Sequence, residues 1–128
     1  MPNLSPVTEC YYNVLRPSIA TGNQSQFAEW NALRAELRTL QKREAVEVDR
    51  MFDHLSATGI GEEQLESEES IDFGPHGEQC DNLTYLMEEV GLAIHKIEYA
   101  RAIELGMKDV ADWIAVHISV AEGMLEDR

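Results

Sequence analysis

The sequence predicts an all-α helical bundle made of a short N-terminal helix, one long helix, an acidic loop and a C-terminal helical hairpin. Three observations predict it. Apolar residues recur at spacings of three and four, and no stretch shows the alternation of period two that a half-buried strand requires. The 128 residues, 44 % of them hydrophobic, suffice for one real core, so a single domain over residues 1–128 is expected.

Ser5 followed by Pro6 makes a helix cap and first turn, and Val7, Cys10, Tyr11 and Val14 repeat at helical spacing before Pro17. A short helix over about residues 6–15 is predicted, ending ahead of that proline. Thr21-Gly22-Asn23 reads as a turn. Beyond it, Trp30, Leu33, Leu37, Leu40, Val48, Met51 and Leu55 keep one face of a helix that runs to Gly59, a residue suited to a C-terminal cap. At ~1.5 Å per residue this helix spans about 50 Å, more than a small bundle needs, which predicts that it protrudes or pairs with a second copy. A homo-oligomer is therefore expected. Glu44 interrupts the stripe, and the spacing 40, 44, 48 breaks a heptad as a stutter does.

Between 59 and 79, Gly59, Gly61, Gly74, Pro75 and Gly77 surround Glu62, Glu63, Glu66, Glu68, Glu69 and Asp72. This is an acidic loop or linker. The plainer reading is a solvated charge run. The functional reading makes those six carboxylates a contact strip for a basic protein surface, with Ile71 and Phe73 as anchors to the core.

From about Asp81 two helices follow, joined near Gly106. On the first, Leu83, Leu86, Met87, Val90, Ala93, Ile94 and Ile97 share one face and Leu92, Tyr99 and Ile103 the opposite one, as in a helix sandwiched between neighbours. On the second, Met107, Val110, Ala111, Ile114, Ile118, Ala121 and Leu125 form a broad face flanked by Trp113 and Val120. An antiparallel hairpin turning at Gly106 brings His95 level with His117 and Tyr99 level with Trp113.

Charge is distributed unevenly. Residues 1–57 hold seven acids against six bases, a net of one negative charge, whereas residues 58–128 hold seventeen against four, a net of thirteen. A surface of this sign repels nucleic acid and anionic membranes and attracts a basic partner. The start, Met1 to Pro6, lacks a cationic region followed by an apolar stretch, and no apolar run approaches the ~20 residues of a membrane span. A cytoplasmic protein without direct contact to nucleic acid or membrane is expected. Cys10 and Cys80 have neither the spacing nor the density of a disulfide or zinc scaffold and are expected reduced and partly buried. Arg34, Arg38 and Lys42 form one strip at a spacing of four, expected to pair with acids of the same or neighbouring helices.

Among residues able to carry chemistry, His95 and His117 lie at one level with Glu98 and Glu122 close in sequence, ligand types that suit zinc or iron. The Glu-x-x-His signature of di-iron bundles is absent, and hydrogen-bonded or interface histidines are expected. Leu86-Met87-Glu88-Glu89-Val90-Gly91 followed by Asp109-Val110-Ala111-Asp112 resembles the motifs of MazG-like all-α nucleotide pyrophosphohydrolases, over residues 83–120. The resemblance implies magnesium as cofactor, with Glu88, Glu89, Asp109 and Asp112 as ligands in nucleoside triphosphate hydrolysis. Leu92 stands where that family has its third glutamate, and a turn at Gly106 sets Glu89 about 17 Å along the hairpin from Asp112 at ~1.5 Å per residue. Phosphate-binding glycine loops and G-x-S-x-G elbows are absent.

The expectation that fits these observations is a small acidic protein-binding module without catalytic residues or cofactor. Its class includes inhibitors of host defence nucleases, phage accessory proteins of the anti-CRISPR kind and DNA mimics, whose clustered carboxylates imitate phosphates in a basic channel.

Overall fold

Ser5 opens the first helix as its position predicts. Its Oγ accepts the Thr8 N–H at 3.2 Å, and Pro6, which has no N–H to leave unsatisfied, stands in the first turn. The computed structural model describes residues 5–57 and 75–126, and within them every regular element is helical. The protein is an all-α helical bundle. Its elements are α1 (Pro6–Cys10), a π-helical turn (Tyr11–Leu15), α2 (Arg16–Ile19), α3 (Gln24–Ala57), α4 (Pro75–Glu104) and α5 (Lys108–Glu126). Gly59 and the six loop carboxylates Glu62, Glu63, Glu66, Glu68, Glu69 and Asp72 lie outside the described residues.

Pro17 does not end the first helix. The chain stays helical to Ile19 because the turn before the proline is π-helical, with the Arg16 N–H bonded to the Tyr11 carbonyl five residues back. A wider turn gives the proline ring room where an α-turn would set it against a carbonyl. It also shifts the inward face. Val14, expected inside, is 51 % exposed, whereas Leu15 and Ile19 are almost wholly buried.

The chain divides into two compact units, Met1–Leu37 with Glu88–Arg128, and Arg38–Met87. In the first, Tyr11, Leu15, Ala102, Val110, Ala111 and Ile114 form the core, with Val7, Cys10, Met107, Trp113 and Ile118 against it. Asn23 caps α3 by accepting the Gln26 N–H on Oδ1 at 3.0 Å. Gly106 ends α4 at φ 70, in the left-handed region. There its N–H bonds to the Ile103 carbonyl and the Met107 N–H to the Ala102 carbonyl, the paired bonds of a Schellman turn. Met107 then packs on the cluster that holds Ala102, and α5 folds back as the predicted hairpin.

The two apolar faces expected on α4 are not equal. Val90, Ile94 and Ile97 are buried, but Tyr99 and Ile103 are exposed, and the position buried beside Ala102 is Glu98. In the second unit Leu40, Leu55 and Leu83 are buried, and Glu44, the residue that interrupts the α3 stripe, accepts a hydrogen bond from Thr84 Oγ1 at 3.3 Å. Cys80 is a free, half-buried thiol. Burial raises its pKa, and the carboxylates of Glu47, Glu44 and Asp81 raise it further.

Candidate functional site

Glu98 is the one charged side chain buried among the described residues, at 1 % exposure. An isolated carboxylate in such a place costs several kcal/mol, so its partners decide whether the fold tolerates it. Three elements supply them. The Tyr11 hydroxyl, from the π-helical turn, donates to both carboxylate oxygens at 2.7 Å, and the Trp30 indole N–H, from α3, donates to Oε2 at 3.2 Å. His95, one turn earlier on α4, has Nδ1 2.9 Å from Oε1. Because a carboxylate only accepts, Nδ1 carries the hydrogen in this contact. Burial pushes the Tyr11 phenol far above its ordinary pKa, and the charge of Glu98 and the hydrogen bond to it push the same way.

Cations sit over the neighbouring rings. The Arg34 guanidinium lies 4.6 Å from the Trp30 ring centre, and that of Arg16 lies 5.9 Å from it and 5.5 Å from the ring of Tyr12. Both place positive charge near the buried carboxylate through an aromatic face. Another arginine, Arg101, is admitted by a missing side chain, since a Cβ on Gly22 would stand 2.9 Å from its Cζ.

A row of rings links Glu98 to the surface. Tyr11 packs on Trp113 with centroids 4.9 Å apart, Trp113 meets His117 edge-on at 4.5 Å, and His117 stacks on His95 at 5.8 Å. The two histidines thus meet as the hairpin register predicts, but they stack ring on ring. Among the described residues no three His, Cys, Asp or Glu side chains come together to hold a metal ion. His95 bonds to Glu98 and packs on His117, and His117 packs on His95 and Trp113.

The same holds for the four carboxylates that the pyrophosphohydrolase resemblance implies. Glu88 and Glu89 lie on α4, which continues unbroken to Glu104, while Asp109 and Asp112 stand in the first turns of α5. Asp112 pairs with Lys108 at 3.5 Å, and Asp109 lines a hollow of about 290 Å³ with Cys10, Gly106 and Met107. Among the described residues these four carboxylates do not come together as a metal-holding group, and the hairpin sets the two pairs apart along its length.

Trp113 and His117 border a feature that the sequence pattern had marked only at Val120. Val116, Val120 and Met124 follow one another at a spacing of four along α5 and are 61 %, 64 % and 42 % exposed. Val110, Ala111 and Ile114 of the same helix are nearly inaccessible. The helix therefore has one apolar face in the core and a second in water. Asp112, exposed, stands one turn before Val116 at the edge of that second face. The signal was present in the spacing of 116, 120 and 124, but the inward face at 110, 114, 118 and 121 is the stronger pattern.

Comparison with known proteins yields no match: no protein-family model, curated protein or solved structure matches this chain.

Proposed function

We propose that this chain is a small acidic protein-binding module whose partner presents a basic surface. The observation that carries the reading is the Val116, Val120 and Met124 row, held in water by a helix whose other face is fully used in the core. An apolar centre with a polar edge is the composition of a protein interface, and Asp112, one turn from Val116, places an acid at the edge here. The net charge of −14 adds long-range attraction to a basic partner. A nucleic-acid-binding channel, such as that of a host defence nuclease complex, combines these properties, and occupying it makes the chain an antagonist. Glu98 and the aromatic row behind Trp113 and His117 hold the face rigid, which lowers the entropic cost of binding.

The test starts from the partner that co-purifies with the tagged chain in its native cell, titrated with the purified chain at several salt concentrations. Affinity is expected to fall steeply as the screening length shortens from ~10 Å at 0.1 M to ~3 Å at 1 M. Val120→Glu is expected to weaken binding at least about tenfold with an unchanged circular dichroism spectrum, since the site is already in water. Reversal of Glu62, Glu63, Glu66, Glu68 and Glu69 to lysine is expected to slow association. Binding indifferent to salt and to Val120→Glu overturns the reading. No pyrophosphate release from nucleoside triphosphates is expected, and release abolished by Glu89→Gln would establish the hydrolase instead.

A further inference from the structure

The unit Arg38–Met87 contains an open groove of about 410 Å³ whose lining is unlike the rest of this acidic chain. Lys42, Arg43 and Arg50 line it together with a single acid, Glu47, and apolar surface comes from Val46 and Leu83. Three of the ten basic residues thus converge on one hollow, leaving it two charges positive in a chain of net charge −14. Glu47 is paired with Arg50, its Oε1 lying 2.8 Å from Nη1. Among the described residues Lys42 and Arg43 make no ion pair. No carboxylate among the described residues pairs with these two cations of one groove, which leaves room for an anion.

We propose that this groove binds a small amphipathic monoanion, a carboxylate or sulfonate head on an alkyl or aryl body. Lys42 and Arg43 hold the head. Val46 and Leu83 receive the body, together with the methylene stems of the basic side chains. The volume suits such a ligand, since small-molecule sites commonly measure from about 300 Å³ upward and combine apolar walls with a few polar groups that fix orientation. Attraction to the local cations and repulsion by the net charge of −14 both scale with a ligand's charge, so the apolar walls decide, favouring an anion whose charge is confined to one end of an apolar body.

The experiment titrates the full chain with anilinonaphthalene sulfonate followed by fluorescence, and then displaces the probe with dodecanoate. One saturable site is expected, displaced by dodecanoate and not by dodecanol, which has the same body without the charge. The double variant Lys42→Gln with Arg43→Gln is expected to lose affinity at least about tenfold, each exposed site tolerating the change without loss of helical content. Val120→Glu separates this groove from the apolar row on α5 and is expected to bind the probe like wild type. Non-saturable binding, equal displacement by dodecanol, or binding lost in Val120→Glu and kept in the double variant each overturns the proposal.

Discussion

The Tyr11 hydroxyl stands 2.7 Å from both carboxylate oxygens of Glu98, a residue 87 positions away in the chain. One short bifurcated contact thereby ties the N-terminal π-helical turn to α4. Both partners are buried, so neither can exchange the bond for water without opening the core.

Glu98→Leu is expected to destabilise the protein by about 2–4 kcal/mol, because it leaves the Tyr11 hydroxyl, the Trp30 indole N–H and the His95 Nδ1–H without their acceptor. Urea unfolding followed by circular dichroism measures it. A change under about 0.5 kcal/mol would show that the cluster contributes nothing net, as some buried charges do.

Tyr11→Phe probes the same bond through pH. A free phenol ionises near pH ~10, whereas burial and Glu98 keep the folded Tyr11 protonated well above that. Its contribution is therefore complete below about pH 10 and lost as the pH rises further, since the unfolded chain releases the proton first. The variant is expected to be less stable at neutral pH by about 1–3 kcal/mol and to lose stability less steeply above pH ~10 than wild type. Parallel alkaline profiles for the two proteins would contradict this.

The phase shift of the π-helical turn is open to a paired test. Leu15→Ala removes a fully buried side chain and is expected to cost about 2–5 kcal/mol, while Val14→Ala, at a position 51 % exposed, is expected to stay within about 0.5 kcal/mol. The reverse order would restore the regular α-helical spacing in this segment.

Two glycines of the first unit are expected to respond with opposite sign to alanine. Neither Gly91, inside α4, nor Gly106 at φ 70 has any atom within 4 Å of an added Cβ, so space decides neither case. Gly91→Ala is expected to raise stability by about 0.5–1 kcal/mol, because alanine restricts the unfolded chain and suits a helix. Gly106→Ala is expected to lower it by about 1–2 kcal/mol, because alanine is strained in the left-handed region. Melting temperatures moving in opposite directions are the readout.

The helices, the Ser5 cap, the turn at Thr21-Gly22-Asn23 and the hairpin turn at Gly106 were legible because each rests on neighbours within a few residues. The same locality hid the π-helical turn. Pro17 reads as a stop when every preceding turn is taken as α-helical, and only the observed bond from Arg16 to Tyr11 shows otherwise. The meeting of His95 and His117 was readable from the turn position alone, since a hairpin register is arithmetic, but the angle at which two rings meet depends on what packs around them.

By itself, then, the sequence determined the helical class, the approximate bounds of the long helices, the hairpin and the sign of the field around the molecule, all of which follow from periodicity, capping and summed charge. The tertiary structure alone decided which polar residue is inside and which apolar residues are outside. Glu98 carries no local mark that separates it from other helical glutamates, because its burial is made tolerable by donors 87 and 68 residues away, Tyr11 and Trp30. Val116, Val120 and Met124 stay in water for the complementary reason: α5 spends its opposite face on the core, and one helix cannot bury both against the same neighbours.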